Sequence, residues 1–415
     1  MSGLHRIMGC AAGAALAIGS GIGPGVGLAA ADEVRVVVSY YSAQTGPIFE
    51  AMAEEFEKAN PDIDIQIEVV NWDNLEQKLT TDVAGGTAPD ISIIGTRWLA
   101  GYVQEGIAEP LDDYMSDEFK AKFIDVFMSP SVFDGETYGL PVAASARAMY
   151  YNKAMFEQAG IAEPPTTWDE LKDAAAKIGA LGDDIYGFGL QGKEIETDAY
   201  WYYAFWTHGG ELLENGRSGI ASDAGVQAAN LYKSMIDEGL TQPGVTGYNR
   251  ENLQDLFKQG RLGILLTGPW LRGQMKEEAP EIDYGIAPIP EGTTKATYGV
   301  TDSIIMFSSS DVKEDAWKFL EEAAFTDKWR REFTLKEGFV PVFKSVAEDP
   351  HFADDPELAA FTAMLPYAKF APIIPNWEEM ADATMRALQQ IYLGEAPPEQ
   401  ALGEAAARID ELLGN

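Results

Sequence analysis

Aromatic and polar side chains occur together at the ends of three predicted strands. The three groups are Ser39-Tyr40-Tyr41-Ser42, Asn71-Trp72-Asp73 and Thr96-Arg97-Trp98. Indole rings pack on the C–H faces of sugars, while carboxylate, amide and guanidinium groups hydrogen-bond sugar hydroxyls. Because ligands of open α/β sheets bind beyond the carboxyl ends of the strands, these groups indicate a carbohydrate cleft.

Two further tryptophans occupy positions that favour a ligand over a core. Trp270 follows a Gly-Pro turn at the end of a predicted strand, and Trp377 lies in a proline-flanked loop. By contrast, Trp317 and Trp329 fall in amphipathic helices and Trp168 follows a capping threonine, positions that are typical of a core. We therefore expect the first two to line the cleft.

Arg97 and Arg147 stand out in a chain that has 30 basic and 66 acidic residues. Each falls in a loop after a predicted strand, where a planar guanidinium can hold two hydroxyl groups at once. An ion pair with a neighbouring carboxylate explains these positions equally well. An anionic ligand such as a sugar phosphate would favour the binding role.

The sequence after residue 31 carries few groups suited to catalysis or to metal binding. It has no cysteine, and its histidines are His208, before a Gly-Gly pair, and His351, in an acidic loop. A Cys/His zinc site or a Ser-His-Asp triad is therefore not predicted. No P-loop occurs, so we expect no catalytic residue, metal or cofactor. The abundant carboxylates leave a glycosidase open.

Length and charge narrow the class of protein. A chain of 415 residues predicts two lobes, and a net charge of −36 argues against nucleic acid and anionic membranes as partners. No later stretch reaches the length of a membrane-spanning helix. We expect a monomer.

Residues 1–31 are typical of a cleavable signal peptide. Arg6 precedes an apolar Ala/Gly/Leu stretch, which ends in Ala29-Ala30-Ala31 before Asp32. Cys10 resembles a lipoprotein site superficially but has no apolar run before it. The segment predicts export to the periplasm.

The rest of the N-terminal part alternates between strand and helix patterns. Ile63, Ile65, Ile67 and Val69 alternate with polar residues. Before them, Thr45-Gly46-Pro47 opens a predicted helix that Asn60-Pro61 ends. Short connections between such elements predict a doubly wound, mostly parallel α/β sheet. A second α/β unit begins near Pro141.

The segment from Pro141 to Phe156, ending in MYYNKAMF, resembles the signature of the family 1 extracellular solute-binding proteins, the sugar-binding components of ABC importers. Gln158 departs from the charged residue or asparagine that is usual there. The segments EEFEKANPDIDIQIE, GGTAPDISIIGTRWLAGYVQEGIAEPLDD and GILLTGPWLRGQM, and the C-terminal helices from Ile374, are similar to the same family.

The resemblance implies a two-lobe periplasmic-binding-protein fold whose lobes close on the ligand and are joined by crossing hinge segments. The first lobe would comprise residues 32–141 and 301–346, and the second residues 142–300 and 347–415. The partners it implies are a carbohydrate and the permease subunits in the inner membrane.

The resemblance also implies ligand contacts, position by position. They are Tyr41, Arg97, Trp98, Ser145, Arg147, Trp270, Gly299 and Asp302, with a looser match at Tyr200 or Trp201. Where maltose-binding relatives often have Asp-Thr, this chain has Ser145-Ala146, so one carboxylate that would accept a sugar hydroxyl is missing.

These observations predict a non-enzymatic receptor for an oligosaccharide or polyol glycoside. A receptor for a sugar phosphate such as glycerol 3-phosphate is the first alternative. A secreted glycosidase is the second, and an iron receptor using Tyr150 and Tyr151 is the third.

Overall fold

Two mixed β-sheets with helices packed against them form the described part of the chain, residues 31–193 and 196–414 of a computed structural model. The predicted signal peptide, except Ala31, lies outside these residues. Within them, no helix is long and apolar enough to cross a membrane.

The strands are short, and most of them are buried on both sides. In chain order they are β1 (Asp32–Tyr40), β2 (Ile63–Asn71), β3 (Ile91–Gly95), β4 (Val132–Phe133), β5 (Glu136–Thr137), β6 (Leu140–Ser145), β7 (Ala148–Asn152), β8 (Tyr186–Phe188), β9 (Leu213–Glu214), β10 (Arg217–Ser218), β11 (Leu262–Thr267), β12 (Tyr284–Ala287), β13 (Thr297–Tyr298), β14 (Val300–Met306) and β15 (Ala368–Lys369).

The α-helices cover the sheets and form the C-terminal part of the described chain. They are α1 (Thr45–Ala59), α2 (Trp72–Gly85), α3 (Leu99–Gln104), α4 (Asp117–Ala121), α5 (Asp125–Met128), α6 (Lys153–Gln158), α7 (Trp168–Gly179), α8 (Thr197–Thr207), α9 (Asp223–Asp237), α10 (Arg250–Lys258), α11 (Leu271–Glu278), α12 (Lys313–Phe319), α13 (Asp327–Glu337), α14 (Lys344–Ala347), α15 (Pro350–Ala353), α16 (Pro356–Met364), α17 (Trp377–Leu393) and α18 (Pro398–Leu412).

The first sheet has the strand order β2-β1-β3-β14-β6. Its strands β1, β2 and β3 are parallel, as their alternation with helices predicts, whereas β14 runs antiparallel to both of its neighbours. The reversed strand arises because β14 enters this sheet from the other half of the molecule. The carboxyl ends of β1, β2 and β3 therefore lie at one edge of the sheet, beside the amino end of β14.

The second sheet has the order β12-β7-β11-β8. Here β7 runs antiparallel to β11 and β12, while β11 and β8 are parallel. Helix α8 packs beside this sheet, and all of its eleven residues from Thr197 to Thr207 are buried. Because this mainly aromatic helix is buried on every side, it is a core element.

The chain crosses between the sheets directly after β6 and directly before β14. Since Ser145 pairs with Val300 in the first sheet, the first crossing falls at Ala146 and Arg147, beyond the predicted boundary at residue 141. The second crossing passes through β13, which pairs with β15.

Local signals in the sequence explain where several helices begin. The predicted capping box at α7 is confirmed, with the Thr167 side chain accepting from the Glu170 amide and the Glu170 side chain accepting in return. Helix α18 begins at Pro398 and buries Ala401, Ala405 and Ile409.

Candidate functional site

A closed cleft lies between the two sheets, at the carboxyl ends of β1, β2 and β3. It consists of two adjoining chambers of about 40 and 30 Å³. We call the larger one the Trp270 chamber and the smaller one the Gly299 chamber. Their walls share Trp72, Glu196, Val300 and Asp302.

Asp302 and Tyr41 form the centre of the Trp270 chamber. The Tyr41 hydroxyl donates to Asp302 Oδ2 at 2.7 Å, while Asp302 Oδ1 is buried without a hydrogen-bond partner. Burial raises the pKa of Asp302 to about 7. Asp302 is held there by β14, where it pairs with Gly95 at the end of β3. The chamber thus contains a carboxyl group with one oxygen free to accept.

Two arginines contact Trp270 in the same chamber. The guanidinium carbons of Arg147 and Arg250 lie 4.6 and 5.1 Å from the centre of the indole ring. Glu196 bridges them, at 3.8 Å from Arg147 Nη2 and 2.7 Å from Arg250 Nη1. Arg147 Nη1 also donates to Ser145 Oγ at 2.6 Å. The carboxylate of Glu196 therefore pairs with the positive charge of both arginines.

The turn before Trp270 requires a glycine. A Cβ on Gly268 would lie 1.9 Å from the Trp270 ring, far inside contact distance. The Gly-Pro-Trp sequence thus allows the indole to fold back over its own turn and to face the chamber. Gln274 on α11 donates to the carbonyl oxygen of Tyr41 at 3.1 Å, which ties this segment to the first sheet.

Trp72 separates the two chambers and stacks on Trp98 behind it. The two ring centres are 5.2 Å apart at an interplanar angle of 26°. Trp72 Nε1 is buried without a partner, and so are Arg250 Nε and Glu251 Oε2 on the walls of the Trp270 chamber. With Asp302 Oδ1, the cleft carries two unpaired donors and two unpaired acceptors.

Arg97 closes the far side of the Gly299 chamber. It follows β3 and donates to both carboxylate oxygens of Glu378 on α17, with Nη2 at 2.7 Å from Oε2. Its Nη1 lies 3.3 Å from the Tyr298 hydroxyl and 3.6 Å from Asp198. Burial raises the pKa of Asp198 to about 6, although Arg97 acts in the opposite direction. The guanidinium is thus held by two carboxylates from the other side of the cleft.

The sequence matches the model of the family described as bacterial extracellular solute-binding protein over residues 41–327. A binding protein of Brucella abortus strain 2308 is 60% identical over 386 residues, which are 92% of this chain and 94% of that relative. The chain belongs to this family.

Other similar proteins are sugar-binding members of the same family. The maltotriose-binding protein of Pyrococcus abyssi is 27% identical over 359 residues, covering 83% of this chain and 74% of that protein. An ABC transporter solute-binding protein of Thermotoga lettingae, solved with α-D-tagatose, superposes with a TM-score of 0.87 at 26% identity. That match covers 92% of this chain and 100% of the other. The two-lobe fold predicted from the sequence is confirmed.

Eight residues predicted to bind the ligand lie on the walls of the two chambers in this solute-binding protein. They are Tyr41, Trp72, Arg97, Ser145, Arg147, Trp270, Gly299 and Asp302. They come from six separate segments of the chain, which the crossing strands bring together.

Four other predicted residues lie elsewhere. Tyr200 and Trp201 are in the core, where the Tyr200 hydroxyl donates to the Leu266 carbonyl at 2.6 Å and Trp201 stacks on Phe205 at 4.5 Å. We expected both to line the cleft, but the structure places them in the core because α8 is buried on all sides. Trp98 lies behind Trp72, and Trp377 lies outside the chambers under Arg97, at 6.0 Å.

Sequence reasoning missed several residues of the solute-binding cleft. Glu196, Arg250, Glu251, Gln254 and Gln274 all line the Trp270 chamber. The scarcity of cations that singled out two other arginines applies equally to Arg250, which follows the capping residue of α10. No local signal distinguishes Glu196 from the many other acidic residues.

Proposed function

We propose that this solute-binding protein is a periplasmic, non-catalytic receptor that carries a neutral oligosaccharide or polyol glycoside to the permease of an ABC importer. The observation that carries the proposal is the set of four unpaired polar atoms in the cleft: Trp72 Nε1, Arg250 Nε, Glu251 Oε2 and Asp302 Oδ1. A buried polar atom without a partner costs about 1–3 kcal/mol. A ligand that supplies the missing partners recovers this free energy.

Sugar hydroxyls fit such a set because each one both donates and accepts. Two protein donors and two protein acceptors on the walls of the cleft therefore suit a ligand that carries several hydroxyl groups. The indole of Trp72 offers an apolar surface for the C–H face of a sugar ring, whereas Trp270 is contacted by Arg147 and Arg250 in the closed form. Similarity to receptors named for maltotriose and crystallised with tagatose supports a sugar.

Charge balance favours a neutral ligand over a sugar phosphate. Arg97 is paired with Glu378, and Arg147 and Arg250 share Glu196. Asp302 and Glu251 each have an unpaired carboxylate oxygen on the wall of the Trp270 chamber, and both oxygens are acceptors. A phosphate would have to break an existing ion pair and would bring negative charge beside Asp302.

The chambers also require the lobes to separate before a ligand enters. Their volumes of about 40 and 30 Å³ hold a few water molecules at most, whereas ligand pockets measure roughly 300–1,000 Å³. Hydrogen bonds across the cleft, such as Asn249 to Asp73 at 2.7 Å and Gln44 to Glu277 at 2.7 Å, hold the closed form. Binding would therefore proceed through an open form that closes on the sugar. The permease can recognise the closed form.

A thermal-shift screen of the exported protein tests the proposal. The probes are neutral mono-, di- and trisaccharides, polyol glycosides, glycerol 3-phosphate, ferric ion and aryl glycosides. A ligand at 100 times its dissociation constant adds about 2.7 kcal/mol of stability. A shift with a neutral sugar and no release of the aryl group supports a receptor. A shift with phosphate esters or iron alone, or turnover of an aryl glycoside, overturns the proposal.

A further inference from the structure

The ion pair between Arg97 and Glu378 separates the Gly299 chamber from a much larger groove. That groove has a volume of about 640 Å³ and is bounded by α17, α18 and Glu76 of α2. We call it the outer groove. Arg97 is part of the wall of both the Gly299 chamber and the outer groove, whereas Glu378 faces the groove.

The outer groove has the size and the polar lining of a ligand site. Its volume lies within the range of roughly 300–1,000 Å³ that small-molecule pockets occupy. Asp198, which is 2% exposed, lines it. Asp198 Oδ2 has no hydrogen bond and lies 3.6 Å from Arg97 Nη1, so it becomes a free acceptor when Arg97 moves away. Gln390, Glu404 and Arg408 lie along the same groove and offer both donors and acceptors.

The contacts that Arg97 makes with Glu378 and Asp198 at the partition are between side chains, so they can break without any change of the backbone fold. Arg97 comes from the first sheet, whereas Glu378 and Asp198 come from helices beside the second sheet. When the lobes part, these partners separate, and the chamber and the outer groove become one continuous space. When the lobes close on a short ligand, the pair can form again.

We propose that the outer groove is an extension subsite for sugar units beyond the one held at Asp302, and that the Arg97–Glu378 pair sets the length of oligosaccharide that the closed form accepts. This inference rests on the proposed function. A ligand that ends at the partition allows the ion pair to form, whereas each further unit must displace it. The pair thereby selects for short ligands, and Asp198 offers an acceptor to a longer one.

A cysteine-labelling experiment tests the partition without any sugar. In the full chain with Cys10→Ser, Ala371→Cys places one thiol on the wall of the Gly299 chamber. We expect Glu378→Ala, and separately the milder Glu378→Gln, to raise the rate of modification by a small neutral methanethiosulfonate by about tenfold or more. Gln44→Ala is the matched control, because it removes a different hydrogen bond between the lobes. Equal rates in the Glu378 variants and the parent, or an equal rise with Gln44→Ala, would overturn the partition.

A ladder of glucose, maltose, maltotriose and maltotetraose tests the subsite by calorimetry. In the parent protein, we expect affinity to fall by about tenfold at one step of the ladder, and Glu378→Ala to remove that fall while leaving shorter members unchanged. Parallel profiles in both proteins would overturn the length selection. If no member of the ladder binds either protein, the proposal of an extension subsite is wrong, whatever the labelling shows. The thermal-shift screen tests separately whether the protein is a carbohydrate receptor.

Discussion

The phenol of Tyr41 holds one carboxylate oxygen of Asp302 at 2.7 Å and leaves the other oxygen buried and unpaired. The two residues are 261 positions apart, one after β1 and the other in β14. Their meeting depends on the chain returning from the second sheet to the first. The result is a fixed acceptor in a closed cleft, around which the other binding groups are arranged.

Trp72 should contribute a hydrogen bond as well as a surface. Trp72→Phe keeps the stack on Trp98 but removes the Nε1 donor, so we expect the affinity for the bound sugar to fall roughly three- to tenfold, from about 1 kcal/mol per neutral hydrogen bond. Trp98→Phe is the matched control, since Trp98 also has a buried, unpaired Nε1 but lies outside the chambers. Titration calorimetry measures both. Equal losses in the two variants would assign the effect to packing.

Gly268 should be needed for the orientation of Trp270. Gly268→Ala places a methyl group 1.9 Å from the indole, which must move away from the chamber. We expect lower thermal stability and a loss of sugar binding. Gly179→Ala in α7, where an added Cβ meets nothing within 4 Å, should instead be neutral or stabilising by up to about 1 kcal/mol. Wild-type binding by Gly268→Ala would show that the position of the indole does not matter.

Glu337 should make the protein less stable as the pH rises. It is fully buried, accepts from the Thr45 hydroxyl at 2.6 Å, and has its other oxygen unpaired. Burial raises its pKa from 4.5 to about 7. Because the folded protein holds this proton more tightly than the unfolded chain does, Glu337 contributes stability that is fully present below pH 4.5 and is lost as the pH rises through about 7.

Glu337→Gln should therefore flatten the dependence of stability on pH between 5 and 8. The free energy of unfolding that the parent loses over this range, relative to the variant, is on the order of 2 kcal/mol. Glu332→Gln, at a partly exposed position on the same helix where the carboxylate pairs with Lys336, should leave the slope nearly unchanged. Melts in a series of buffers measure both variants. An unchanged slope in Glu337→Gln would contradict this account.

Much of the fold follows from local patterns, whereas the composition of the cleft follows only in part. The period-two alternation of β2 and the capping box of α7 are local, so the sequence predicts them directly. The family resemblance named Tyr41 and Asp302 as separate ligand contacts, but the hydrogen bond between them was not predicted. Glu196 lacked any signal, because its role depends on two arginines that are distant in sequence. Tyr200 and Trp201 were predicted as ligand contacts, but an aromatic run cannot distinguish a cleft from a helix buried on every side.

Calorimetric titration of the exported protein and of Asp302→Asn, with the same neutral sugars and glycerol 3-phosphate, tests the central claim most directly. At a pH above about 7, where Asp302 is ionised, we expect one neutral sugar to bind with a stoichiometry of one. We expect Asp302→Asn to weaken it by about tenfold or more, as a hydrogen bond to a charged group is worth roughly 1.5–3 kcal/mol. Asp311→Asn, at an exposed surface position, should bind like the parent. Binding of glycerol 3-phosphate alone, or full affinity in Asp302→Asn, would contradict a neutral carbohydrate held at this carboxylate.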